Sequence, residues 1–184
     1  ITKNLQAGKI QGAAIWEPTA SKIEMKGFAR RAATGADFAG DDAGDAGFLV
    51  MMNELIQDRP DVHRGWLEAE LDAQMFLADP ANAGAVAKMA DDQTEGMERK
   101  VLWASLYRDE AGANKLTLDF VFNDKVKTML KASAAFLAGK KKFGKRKQLR
   151  TEAVWDDVAR EVLKSRGLSS PLGKIDGVPL SNYK

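Results

Sequence analysis

The sequence contains no cysteine and a single histidine. The first absence excludes thiol catalysis, thiolate metal sites and a disulfide framework, and it leaves the redox compartment open. The second means that a Ser/His/Asp triad or a histidine-ligated metal would have to be built on His63 alone. In Asp61-Val62-His63-Arg64-Gly65-Trp66 the helical spacing puts Val62 and Trp66 on the buried stripe, so His63 is expected beside it, exposed on a helix. Long hydrophobic runs are missing too: no stretch approaches the roughly 20 apolar residues of a membrane-spanning helix, and the mean hydropathy of -0.34 agrees. No P-loop, GxGxxG or GxSxG pattern occurs, so neither a phosphate cradle nor a nucleophile elbow has support, and no pair of carboxylates is placed across a cleft.

What remains is a chain of 184 residues, 45% hydrophobic and 29% charged, long enough to bury roughly 70% of its unfolded surface around a core of its own. It opens at Ile1 without Met or a basic-then-apolar leader, so any signal peptide or upstream domain is expected to have been removed from it. Residues 9–16 (KIQGAAIW) form a short apolar run of strand length, halted by Glu17-Pro18 at the first turn of a helix that reaches Gly27. Residues 28–34 (FARRAAT) read as a returning strand, which makes a βαβ unit with Trp16 and Glu17 at a strand's C-terminal end. Residues 35–47 are rich in Gly and Asp and form a crossover loop. The uniformly apolar residues 48–52 (FLVMM) suit a strand covered on both faces, with Asn53 capping a short helix after it.

Beyond this point helices dominate. Pro60 opens a helix whose buried stripe takes Val62, Trp66, Ala69, Ala73 and Phe76, flanked by Leu67, Leu71 and Met75. Asp79-Pro80 starts another through Val86 and Met89, and Thr94 caps a third containing Val101, Leu102 and Leu106. Residues 116–122 alternate as a last strand, and Asn123 caps a helix with Val126, Leu130, Ala134 and Leu137 on one face. A final helix beginning near Thr151 carries Val154, Trp155, Val158, Val162 and Leu163 and stops at Gly167, before an irregular tail at residues 167–184. Strands early and helices late predict an α/β fold, a parallel sheet flanked by helices. The three or four strands are fewer than the five or six of an ordinary sheet.

Two charge features need a reading. Asp37, Asp41, Asp42 and Asp45 invite calcium, but an EF-hand counted from Asp41 would require an acid or amide at Ala43, Gly at Ala46 and Glu at Met52, so a solvated loop is expected and no metal. Lys140, Lys141, Lys142, Lys145, Arg146, Lys147 and Arg150 form a basic cluster. Residues 139–184 carry 12 basic against 5 acidic side chains, a net +7, whereas residues 1–138 carry 16 against 21, a net -5. Phe143 is the sole aromatic in that cluster, too few for single-strand stacking, so the patch is expected to be a solvated loop touching a permease or lipid headgroups, with no nucleic acid.

The chain resembles the substrate-binding proteins of ABC importers for nitrate, sulfonate, taurine and bicarbonate-type solutes. The resemblance rests on Gly8-Lys9-Ile10-Gln11-Gly12-Ala13-Ala14-Ile15-Trp16-Glu17-Pro18, Phe48-Leu49-Val50, Arg59-Pro60-Asp61-Val62, Leu77-Ala78-Asp79-Pro80 and Phe136-Leu137-Ala138-Gly139, in that order. It covers roughly residues 1–166 and aligns with only the second half of such a protein. It implies a type II periplasmic-binding-protein-like fold of which the C-terminal half of a two-lobe architecture is present. Residues 1–35 would then end the second lobe, residues 36–47 cross the hinge, with Thr34, Gly35 and Gly47 as hinge residues, and residues 48–166 belong to the first lobe and the C-terminal helices. The implied function is capture of a small polar organic or oxyanion solute between lobes, next to Trp16 and Glu17, and delivery to a membrane permease in the periplasm or another extracytoplasmic space. No cofactor and no catalysis are implied, and the missing N-terminal half becomes a partner. The alternatives are an enzyme on the same scaffold, of the pyrimidine-synthase kind, which would need His63, or a basic adaptor binding nucleic acid through residues 140–150.

Overall fold

Some helical segments of this chain start at a residue whose side chain accepts from a first-turn N–H, and some stop where glycine turns left-handed. The structure, a computed structural model, describes residues 1–34, 37, 46–108 and 117–183. Its helices are α1 (Thr2–Gln6), α2 (Thr19–Met25), α3 (Asn53–Asp58), α4 (Pro60–Ala78), α5 (Ala83–Gln93), α6 (Arg99–Tyr107), α7 (Asp124–Gly139) and α8 (Asp157–Ser165), with 3-10 turns at Pro80–Asn82, Thr151–Ala153 and Leu180–Asn182. Asn123 caps α7 as its type suggests, its Oδ1 accepting from Val126 N at 2.8 Å, and Asp79 Oδ1 accepts from Ala81 N at 2.9 Å. Gly27, at φ 71, ends α2, and Gly167, at φ 66, ends α8.

The expected α/β architecture is not what forms. Among the described residues helix accounts for 56% and strand for 1%, and there is no sheet. The predicted strands at residues 9–16, 28–34 and 48–52 have no ladder partner. Among the described residues of the fourth, only Thr117 makes an isolated antiparallel bridge, to Lys174. The reason is physical: a strand is a shared element, stable only when a neighbour takes its N–H and C=O groups. Residues 9–16 carry Gly and Ala where a strand needs β-branched side chains, and residues 28–34 carry two arginines. Residues 48–52 have the composition of a strand buried on both faces, yet Val50 is 86% exposed. The parallel sheet and the type II half-fold built on it are therefore replaced by helical packing.

Contacts divide the chain into two units: Ile1–Thr34 with Met75–Thr117 and Lys174–Lys184, and Gly35–Gln74 with Leu118–Gly173. In the first, α6 is the hub, packed by α5 and by α2. Its side chains Val101, Leu102, Trp103, Ala104 and Tyr107 are buried with Ile23, Ala83, Ala87 and Ile175. Tyr183 meets Trp103 edge-on, with centroids 6.0 Å apart. Thr94 closes α5 instead of opening α6, whose N-cap is Glu98.

In the second unit Leu71 of α4 packs with Val162 and Leu163 of α8, and Leu67, Phe120, Val121, Leu168 and Leu172 surround them. This corrects the expected stripe of α4. His63 and Leu71 are its buried side chains, while Trp66 is 54% exposed. The helix is apolar enough to seat on either face. Arg64 with Glu161 at 3.5 Å and Arg166 with Asp72 at 3.1 Å tie it to α8 in the observed rotation. His63, expected exposed, is buried with its ring 5.4 Å from that of Trp155. The final helix also begins later than expected: Asp156 precedes it, its carboxylate accepting from Phe122 N at 2.8 Å and pairing with Arg160 at 2.8 Å.

Candidate functional site

Glu17, the carboxylate singled out beside Trp16, lies just before α2. Its Oε2 accepts from Ser21 N at 3.0 Å, which relieves one of the unpaired donors of the first turn. Its Oε1 accepts from Arg31 Nη2 at 2.7 Å. Ser21 and Glu24 follow Glu17 at helical spacing, four and seven residues on, so the three share a face. The chain leaves α2 through Gly27 and brings Arg31 back to that face, where its Nη2 also reaches Glu24 Oε2 at 3.4 Å and Ser21 Oγ at 3.5 Å. Arg108, at the end of α6, completes the group by donating to Glu24 Oε2 at 2.9 Å.

Among the described residues the result is a network of two carboxylates and two guanidiniums, formally neutral and mostly shielded, with Arg108 only 7% exposed. Burial alone would raise the Glu24 carboxyl, but the hydrogen bond and charge of Arg108, with the charge of Arg31, prevail and hold it below the usual carboxylate range. Burial likewise works against the Arg31 guanidinium, and Glu17 and Glu24 outweigh it and raise its pKa. Arg31 Nε is buried without a hydrogen-bond partner. Chemically the network is a clamp, because both carboxylates are already taken up by cations and by a helix end. It fixes the backbone from which Trp16 projects: Trp16 O accepts from Ala20 N at 3.1 Å, and the indole is 81% exposed.

Of the sequence-derived site residues, the structure brings Glu17 into this cluster and leaves Trp16 beside it as an open aromatic face. Thr34 is half-buried and Gly47 exposed. Gly35 lies outside the described residues, as do Asp41, Asp42 and Asp45. Glu24, Arg31 and Arg108 were missed by the sequence reading. The Glu17, Ser21, Glu24 spacing followed by Arg31 was a usable signal for three of the four ionic members; nothing local pointed to Arg108, which is 84 residues from its partner Glu24.

The basic residues 140, 141, 142, 145, 146, 147 and 150 are all exposed. They follow the last turn of α7, where Phe136 and Leu137 stand out of the surface at 64% and 39% exposure. Ala132, Ser133, Phe136 and Leu137 line an open depression of about 470 Å³ there. Among the described residues no group of three His, Cys, Asp or Glu side chains is arranged to hold a metal, and no helix is long and apolar enough to cross a membrane.

No curated protein and no solved structure matches the chain. Residues 1–91, which contain Trp16, Glu17, Glu24 and Arg31 but neither Arg108 nor the basic segment, match the NMT1-like family, a family of ABC nitrate/sulfonate/taurine-type binding proteins.

Proposed function

We propose that this chain serves as a solute receptor of the ABC-importer substrate-binding type and makes or breaks no covalent bond. The match of residues 1–91 to the NMT1-like family carries this reading. In its finer form the solute is a small polar organic molecule or oxyanion of the sulfonate, taurine, nitrate or bicarbonate class. It is held outside the cytoplasm between two lobes and passed to a membrane permease. Closing on the solute is a shift of population, so the solute has to contact both walls and bind the closed state better than the open one.

Trp16 supplies an aromatic wall in this proposal. Glu17 is a positioning residue, since its oxygens are engaged by Ser21 N and Arg31. The opposing wall and the donors for an anionic solute come from a companion half of the same protein. What supports a companion is the exposure of apolar side chains on unpaired extended backbone, Trp16 at 81% and Val50 at 86%.

Thermal denaturation of the chain together with its companion half, in taurine, an alkanesulfonate, nitrate and bicarbonate, each at millimolar concentration, tests the reading. A ligand at about 100 times its Kd adds about 2.7 kcal/mol, so one member of the panel should raise Tm clearly. Trp16→Ala should erase that rise without changing Tm in the absence of solute, and His63→Ala should leave the rise in place. If no member of the panel shifts Tm or tryptophan fluorescence, the receptor assignment is wrong.

A further inference from the structure

We propose that the C-terminal end of α7, together with residues 140–150, is a docking surface for an anionic lipid bilayer, with Phe136 and Leu137 entering the acyl boundary and the cations resting on headgroup phosphates. The inference does not depend on the solute-receptor reading, and the segment lies outside the residues that match the family.

The charge comes first. Seven of the eleven residues from 140 to 150 are Lys or Arg and none is acidic. Among the described residues none of the seven forms an ion pair, although ion pairs are common elsewhere in both units. These cations therefore keep their full attraction for an outside anion.

The way α7 ends is the second observation. Lys141 N donates to Ala138 O at 3.0 Å and Lys142 N to Leu137 O at 2.8 Å, the paired bonds of a helix end that turns through a left-handed residue. That residue is Lys141, at φ 55, a conformation in which glycine is the unstrained choice. A lysine stands where the backbone favours having no side chain. The residue after it ordinarily lays an apolar side chain on the helix at the position held here by Leu137. Here it is Lys142, so Leu137 and its neighbour Phe136 stay uncovered.

Third, the apolar and cationic parts are contiguous. Ser133, Phe136, Leu137 and Lys140 recur at helical spacing on one face, and Lys140 Nζ lies 5.6 Å from the centre of the Phe136 ring. An exposed aromatic and a leucine at the foot of a cationic segment, with Lys140 over the aromatic ring, fit a bilayer interface: the apolar side chains partition below the phosphates while lysine stems snorkel up to them. A nucleic acid would use the charge but leave Phe136 and Leu137 without a role, and Phe143, the aromatic inside the segment, is partly buried.

Flotation of the full chain with phosphatidylcholine vesicles, with and without phosphatidylglycerol, tests the proposal. Binding is expected only with the anionic lipid and should fall as sodium chloride is raised. Lys140→Ser/Lys141→Gly/Lys142→Ser should weaken it about 100-fold; the glycine preserves the turn. Phe136→Ser/Leu137→Ser should weaken it at least about tenfold. Should the first triple variant lose helical signal, Lys145→Ser/Arg146→Ser/Lys147→Ser, in the loop beyond the helix, replaces it with the same expectation. The proposal is overturned by absence of binding, by equal binding to both vesicle types, or by variants that bind like the parent. It is equally overturned if an oligonucleotide or polyglutamate competes fully and the Phe136/Leu137 variant binds those polyanions undiminished, which would make the surface a site for charged polymers.

Discussion

Tyr107 donates its hydroxyl proton to Leu77 O at 3.0 Å from a site with no solvent exposure. Burial, with a smaller contribution from the charge of Asp79, pushes the phenol up to about 12. The neutral form is the one the fold accepts, so this group's contribution to stability is complete below the unfolded value near 10 and drains away as pH rises toward 12. We expect alkaline titration to cost up to about 3 kcal/mol across that window. Tyr107→Phe should cost about 1 kcal/mol at neutral pH and flatten the alkaline loss. Urea denaturation of both proteins at several pH values checks this, and an unchanged alkaline slope in the variant would assign the loss elsewhere. The Glu17, Glu24, Arg31 and Arg108 network shows the same logic with charges in place of a phenol. Each cation is shielded because a carboxylate meets it, so none of the four is free to hold a solute ion by itself.

At the level of elements, α4 shows where periodicity stops being informative. Its apolar side chains occupy more than one face, and Val62, Trp66, Ala69, Ala73 and Phe76 made as good a stripe as the one that packs. The partner decided: Val162 and Leu163 of α8 take Leu71, and Arg64 and Arg166 pin the rotation. Leu71→Ala should therefore cost about 2–5 kcal/mol through the cavity left in a closed cluster. Trp66→Ala, the larger truncation, should cost about 1 kcal/mol or less because half of Trp66 is already in water. Chemical denaturation of the two variants orders them, and a greater loss at Trp66 would restore the original stripe. Caps were legible where the mechanism is local: Asn123, Asp79, Gly27 and Gly167 all act within a few residues of themselves. Thr94 misled because its side-chain chemistry suits a helix start, while its backbone serves as the end of α5.

For the molecule as a whole, the exposed extended segments matter most. Residues 48–52 present Phe48, Leu49, Val50 and Met52 to solvent, the kind of unpaired apolar backbone that recruits another chain. Val50→Lys should raise solubility and slow self-association, with a change in stability within about 0.5 kcal/mol. Light scattering over time, beside a melting curve, measures both, and a lowered Tm would show that Val50 is packed. Circular dichroism should likewise report a helical chain without a resolvable sheet component.

The helix ends at Asn123, Asp79, Gly27 and Gly167, the net charge split between residues 1–138 and 139–184, the absence of thiol chemistry and the aromatic-acidic pair Trp16-Glu17 were determined by the sequence itself, because each depends on residues adjacent in the chain. Whether apolar runs become strands was not, since a strand exists only when another segment completes its hydrogen bonds, and the chain alone does not state which segment that is. Tertiary structure decided that residues 9–16, 28–34 and 48–52 stay unpaired, that α4 turns Leu71 inward, and that Arg108 crosses 84 residues of sequence to meet Glu24. Those outcomes follow from burial competing over the whole fold, where long-range partners outweigh local preference.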